Sequence, residues 1–357
     1  MAAERKHEHR VDLVLEGGGV KGIGLAGAYS VLEEHRFEPQ NIAGTSAGAI
    51  TAALIAARYS ATELKDVVLS LDFKQFEDKA WEDRIPVFDR SASVLLDQGI
   101  YEGRRFYDWI KQLLADKGVH TFGDLVSEDF ADDPKYRSRL QVIASDVTAR
   151  RLLVLPRDAG VLGLDPDQLE VAEAVRMSMS IPIFFEPVRL KDPKSDQDHV
   201  IVDGGMLSNF PVWLFDCGDD QPPEWPTFGL LLVEPDPKTP IEKRLPHDAR
   251  EWGVSPLVDY IKSMAHTMME AHDRLYLEKA QYARTIPIPT LGVGTTEFDL
   301  SRDRAEALYR SGREAAETFL ATWDFAGYVA EFRSGKTHSS RDDLTAELQR
   351  ARSPLVV

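Results

Sequence analysis

The sequence predicts an α/β fold, with a mostly parallel central sheet flanked by helices. Three observations carry that prediction. Short apolar runs alternate with stretches of helical spacing from Val11 onward. The first two runs each end in a glycine-dense turn that opens straight into a helix. The chain has 357 residues, 43% of them hydrophobic, enough to bury both faces of a large sheet.

Residues 1–10 read as a polar tail. Val11–Glu16 (VDLVLE) is a short apolar run stopped by glycines, hence a buried strand. Apolar residues then recur at helical spacing from Lys21 to Glu34, and Asn41–Gly44 (NIAG) is a second strand. Ala47–Arg58 is alanine-rich with no breaker after Gly48, which predicts a closely packed helix. Arg139–Val147 and Arg151–Leu155 are strands, and Leu169–Ser180 is a helix that Pro182 stops. His199–Gly205 runs as a strand into a Gly-Gly turn, and Thr227–Pro235 is another buried strand. Pro256–Ala283 predicts a long helix with Leu257, Ile261, Met264, Met268 and Leu275 along one side. Ser301 caps a helix from Arg302 to Trp323. Leu71–Gly99 mixes aromatics, acids and Pro86 and reads as an insertion near the site mouth; Gly218–Pro226 and Glu234–Pro256 read as loops. Neither a linker nor an internal repeat interrupts the pattern, so one domain with insertions is expected.

Charge narrows the function. Lys and Arg number 42 against 59 Asp and Glu, a net charge of −17. That balance argues against a nucleic-acid partner and against simple attraction to anionic membranes. Cys217 is the single cysteine, so no intrachain disulfide forms and a reducing compartment is expected. The first ten residues lack the apolar core of a signal peptide, and no apolar run approaches the roughly 18 residues of a membrane span. The expected location is cytoplasmic, compatible with peripheral membrane contact or signal-independent export.

Two glycine turns carry the chemistry. Gly44-Thr45-Ser46-Ala47-Gly48 places Ser46 between a strand and a helix, the context in which Gly-x-Ser-x-Gly presents a nucleophile. The Ala47 amide and the helix dipole then favour negative charge on a carbonyl oxygen. Gly17-Gly18-Gly19-Val20-Lys21-Gly22 suggests an anion cradle. It fails the Walker pattern, because Ile23-Gly24 follow Gly22. A dinucleotide reading needs an acid at the end of the next strand; Glu38 lies near that distance but precedes the strand, which ends in the Ser46 elbow instead. A transient oxyanion is the other anion such a loop suits, because consecutive glycines free several backbone amides to point at one spot. Lys21 reads as a surface cation, with positive potential near a lipid phosphate as the second reading.

A serine hydroxyl needs a base. Of the nine histidines (His7, His9, His35, His120, His199, His247, His266, His272 and His338), none sits in a glycine-flanked corner after a strand. Four late ones, His247, His266, His272 and His338, keep a Ser-Asp-His order formally open. Asp203 is the better candidate: it ends a strand, Gly204-Gly205 turn the chain at once, and strand ends of a parallel sheet converge on one crevice.

These motifs resemble the patatin-like phospholipases. The glycine loop Gly17–Gly22, the elbow Gly44–Gly48 and Asp203-Gly204-Gly205 stand in that family's order. Ser178, Pro182 and Phe185 match its Ser-x-x-x-Pro-x-x-Phe segment, Asn209 and Pro211 its positions after the turn, and Ala144–Arg150 its Ala-[Ser/Thr]-Asp strand. The resemblance covers residues 11–215. It implies a three-layer α/β/α fold and a metal-free, cofactor-free Ser–Asp dyad acting on fatty acyl esters. Carried over by motif, Ser46 is the nucleophile, Asp203 the base, and Gly17, Gly18 and Gly19 the oxyanion loop. Residues 216–330 would complete the same domain, and 331–357 form a polar tail. The expected partner is a lipid, with transient membrane contact from apolar side chains of Leu71–Gly99 and of the helix bearing Met264, Met268 and Met269. A transacylase on the same fold is the second class, although Thr45 stands where a malonyl-transfer type carries histidine. A non-catalytic scaffold is the third.

Overall fold

The computed structural model describes residues 9–70, 103–127, 130–133, 136–182, 184–191, 198–216, 223–234, 279–295, 297 and 299–333. The expected Leu71–Gly99 insertion, most of the Pro256–Ala283 helix, Cys217 and the four late histidines lie outside the described residues.

Eight strands form one sheet. They are β1 (Arg10–Leu15), β2 (Glu38–Thr45), β3 (Leu140–Asp146), β4 (Arg151–Leu155), β5 (Val188–Lys191), β6 (Asp198–Asp203), β7 (Thr227–Val233) and β8 (Thr285–Pro289). Their order is β5-β6-β3-β2-β1-β7-β8, with β4 also paired to β3. The β8-β7-β1-β2-β3 portion is parallel throughout. Beyond it, β4 and β6 run antiparallel to β3, and β5 antiparallel to β6.

Alternation along the central strands builds two cores. Leu13 and Leu15 of β1, with Leu230 and Leu232 of β7, join the larger one. It also holds apolar side chains of α1 (Ile23–Glu34), α2 (Ala47–Ala56), α4 (Arg104–Asp116), α5 (Val171–Ser178) and α7 (Arg302–Leu320). Val14, Ile143 and Leu231 face the other way, onto Phe210, Val212, Leu214 and Phe215. Successive strand residues point to opposite faces, so a sheet covered on both sides needs unbroken apolar runs, as β1 and β7 have. Every residue of α2 is buried, which its alanine-rich sequence AGAITAALIA allows by presenting little bulk on any side. Helix α3 (Ala61–Ser70) follows it. The short α6 (Lys279–Tyr282) and α8 (Phe325–Phe332) flank the C-terminal part. Phe228 of β7 meets Phe319 and Trp323 edge-on at 5.2 and 5.1 Å and fixes α7 to the sheet. Ser301 caps α7 as expected, accepting the Arg304 amide at 3.4 Å. Among the described residues no helix is long and apolar enough to cross a membrane.

Two expectations need correction. Glu38 does not precede the second strand but opens it, opposite Arg10. It therefore lies at the far end of β2 from Ser46, about 26 Å away at strand rise, where it cannot serve a ligand at the glycine loop. Asp203 does end its strand, but that strand is antiparallel to β3. It reaches the site by register, not by the convergence of parallel strand ends. Both β2 and β4 pair with Val142 and Ile143, so they occupy opposite edges of β3. Since β4 and β6 both pair with Ala144–Asp146, they too are opposite. Strands β2 and β6 thus share one edge of β3 and meet head to head: Thr45 ends opposite Ile143, and Asp203 opposite Ala144.

Candidate active site

That head-to-head meeting puts the residue after β2 beside the last residue of β6. Ser46 has φ 53° and ψ −125°, a backbone that L-residues rarely adopt, between β2 and α2. The corner closes because its flanks lack side chains. A Cβ on Gly44 would lie 2.3 Å from the Gly48 carbonyl oxygen, and one on Gly48 would lie 2.3 Å from that of Leu15. Any side chain at either position forces the elbow open. Ser46 and Asp203 are both fully buried.

Asp203 Oδ1 accepts the Gly205 amide at 2.7 Å. Oδ2 has no hydrogen-bond partner among the described residues. Burial pushes the carboxyl up to about 7, against the Ser46 hydroxyl and the Gly205 amide, which favour its ionised form. Ser46 Oγ lies 3.5 Å from Met179 Sδ, to which it donates. The Ser46 amide donates to Ser178 Oγ at 2.8 Å, and Ser178 Oγ donates to the Ile143 carbonyl at 2.6 Å. One residue beyond Met179, the Ser180 carbonyl accepts the Asp203 amide at 2.9 Å.

The glycine loop lies against the same corner. Gly19 has φ +55°, and a Cβ there would strike the Thr295 carbonyl oxygen at 2.0 Å. Only glycine fits. The Gly17 amide donates to the Asn209 carbonyl at 3.2 Å, and Asn209 Nδ2 returns a bond to the Gly17 carbonyl at 3.0 Å. The amides of Gly18, Gly19 and Ala47 make no hydrogen bond to a described residue. Glu16 braces the loop from below, accepting from Leu232 N and from Asn209 Nδ2. Lys21 is not a surface cation. It is buried, with Nζ 3.1 Å from Glu234 Oε1, and its stem covers Gly18. Its ammonium neutralises a carboxylate just past β7 and so ties down the loop.

The described histidines sit elsewhere. His199 Nδ1 pairs with buried Asp146 Oδ2 at 2.6 Å, four residues before Asp203 along β6. His35 ends α1, His9 meets Phe37 edge-on, and His120 precedes the Thr121 cap. A cavity of 780 Å³ opens against α4 and α5, lined by Arg104, Tyr107, Glu170, Glu173, Arg176 and Glu186 among others. Neither Ser46 nor Asp203 lines it, and its charged walls do not suit an acyl chain. Sequence reading assigned no role to Met179, Asn209 or Thr295. Asn209 and Ser178 stood in recognised motifs; Met179 and Thr295 gave no signal, because their contacts exist only in the folded chain.

Comparison with known proteins places the chain in a family. A family model described as patatin-like phospholipase matches residues 13–216. The uncharacterized protein YqhO of Bacillus subtilis (strain 168) is 36% identical over 315 residues, covering 88% of this chain and 99% of its own. An uncharacterized protein of Acanthamoeba polyphaga mimivirus is 23% identical over 308 residues, covering 84% of this chain and 90% of its own. The crystal structure of VipD from Legionella pneumophila is similar in fold, with a TM-score of 0.52 at 18% identity, covering 97% of this chain and 74% of that one. The family match spans more than half of the chain and takes in the glycine loop, the elbow and the β6 turn, so the chain belongs to the patatin-like phospholipases.

Proposed function

We propose that this protein hydrolyses fatty acyl esters of lipids through Ser46 as nucleophile and Asp203 as general base. The carrying observation is the head-to-head end of β2 and β6, which sets an elbow serine beside a buried carboxyl. Burial that raises Asp203 to about 7 supports its use as a base, since an ordinary carboxylate is too weak near neutral pH. The Ser46 hydroxyl leans on the Met179 sulfur, a weak acceptor. Rotating it toward the unpartnered Oδ2 arms the nucleophile.

The reaction then follows from the groups present. Asp203 takes the Ser46 proton as Oγ adds to the acyl carbonyl. With the Gly17 amide engaged by Asn209, the donors for the oxyanion are Gly18, Gly19 and Ala47, the last at the positive end of α2. Collapse breaks the ester C–O bond, and the leaving alcohol or lysolipid takes the proton from Asp203. Water gives its proton to Asp203, attacks the acyl-serine, and releases the fatty acid as Oγ recovers the proton. Ile181, Phe184 and Phe185 form a small apolar cluster directly after Met179 and offer a wall for the acyl chain.

Incubation with a mixed lipid extract, read by mass spectrometry, tests the reading. Free fatty acid and the matching lysolipid or glycerol ester are expected. Acyl transfer to an added alcohol without fatty acid would replace hydrolysis with transacylation, and an unchanged extract would overturn both. The pH dependence gives a separate check. With a base of about 7, kcat/KM on a short p-nitrophenyl ester falls about tenfold per unit below that midpoint. A midpoint near 4 contradicts the assignment.

A further inference from the structure

We propose that Ser178 is a positioning residue for the nucleophile, and that the segment Ser178-Met179-Ser180 sets Ser46 against Asp203. The inference rests on the dyad reading and deepens it. Three consecutive residues at the end of α5 each touch the pair. Ser178 Oγ accepts the Ser46 amide at 2.8 Å, Met179 Sδ accepts the Ser46 hydroxyl at 3.5 Å, and the Ser180 carbonyl accepts the Asp203 amide at 2.9 Å. Ser180 Oγ in turn donates to the Arg176 carbonyl at 2.9 Å, which ties the segment to the helix it leaves.

The need for such a clamp follows from the sheet. Two strands that meet head to head share no ladder with each other, so only their separate pairings with β3 set the gap between their ends. Ser178 spans that gap. Its hydroxyl bonds the Ile143 carbonyl, and Ile143 is the residue opposite Thr45, where β2 stops. A hydroxyl is one of few groups that accept from one neighbour while donating to another. Ser178 is fully buried, so no solvent replaces either bond. Holding the amide also holds the Ser46 backbone at its positive φ of 53°, from which Oγ rests on Met179 Sδ. Because this amide is engaged, it contributes nothing to the oxyanion; the role is geometric.

The test uses the full chain and p-nitrophenyl butyrate. In Ser178→Ala, kcat falls about 10- to 100-fold with KM within about twofold, because the loss is in alignment and not in substrate contact. The pH midpoint stays at its wild-type value, since Asp203 is untouched. Should the alanine variant not fold, Ser178→Cys keeps the side-chain shape, slightly enlarged, with a weak donor and acceptor and is expected to lose about tenfold in kcat. Either variant, folded by circular dichroism, with wild-type kcat overturns the proposal; so does a loss confined to KM. Ser46→Ala and Asp203→Asn measured alongside separate the two claims. If both remain active, the dyad falls. If both are inactive while Ser178→Ala is fully active, the positioning role alone falls.

Discussion

Asp203→Asn is expected to lower ester hydrolysis by about 10²- to 10⁴-fold while raising the melting temperature at neutral pH. The rate loss follows from removing the proton acceptor for Ser46 and leaving the oxyanion donors in place. The gain in stability follows from burial. In the folded protein the Asp203 carboxyl is raised from 3.8 to about 7. Below pH 3.8 it is protonated in both folded and unfolded chains and costs nothing through linkage. Between 3.8 and about 7 the unfolded chain ionises first, so native stability declines by about 1.4 kcal/mol per pH unit. Above about 7 the penalty levels off near 4 kcal/mol, as an upper value. Asparagine has no such penalty, and its amide oxygen still accepts from Gly205. Thermal melts across pH check the sign. The variant should melt above wild type at pH 8, and the gap should close toward pH 4. A lower melting point at pH 8, or an undiminished rate, contradicts the account. Activity and stability moving in opposite directions is what a site built on a buried carboxyl requires.

Ser46→Ala should be the most severe of the catalytic changes. Without Oγ no acyl-enzyme forms, and turnover falls by about 10⁴-fold or more, to what the oxyanion donors achieve alone. Stability should hardly move. The strained backbone at φ 53° is the same for serine and alanine, the amide bond to Ser178 is kept, and the hydroxyl's weak contact with Met179 Sδ and its influence on Asp203 are lost. A fluorophosphonate probe reads this cheaply: wild type labels and the variant does not. Labelling that persists in folded Ser46→Ala would place the nucleophile elsewhere.

How much of this was readable before folding depends on the range of each interaction. The elbow was legible because its requirements are local: a short strand, Gly44 and Gly48 around the serine, and an alanine-rich helix at once. The glycine loop was legible for the same reason, although which of its glycines takes φ +55° was not. Asp203 was singled out as a candidate base through its Asp-Gly-Gly turn, but the parallel-strand part of that reasoning fails, because strand direction is set by partners far away in sequence. Lys21 looked like a surface charge because its partner, Glu234, lies 213 positions later. Ser178 stood in a recognised motif, yet the role proposed for it is invisible without Ile143 and Ser46 on either side of its hydroxyl. The fold class and the two glycine turns are thus written in short windows, while the contacts of Asp203, Ser178 and the buried charges are written in the topology.

The central claim is that Ser46 carries the acyl group and Asp203 accepts and returns its proton. Acid quenching during turnover of a long-chain p-nitrophenyl ester, followed by peptide mass spectrometry, tests it most directly. The account predicts an acyl adduct on the peptide containing Ser46, formed rapidly in wild type and about 10²-fold or more slowly in Asp203→Asn. An adduct on any other residue, or equal acylation rates in the two proteins, would contradict it.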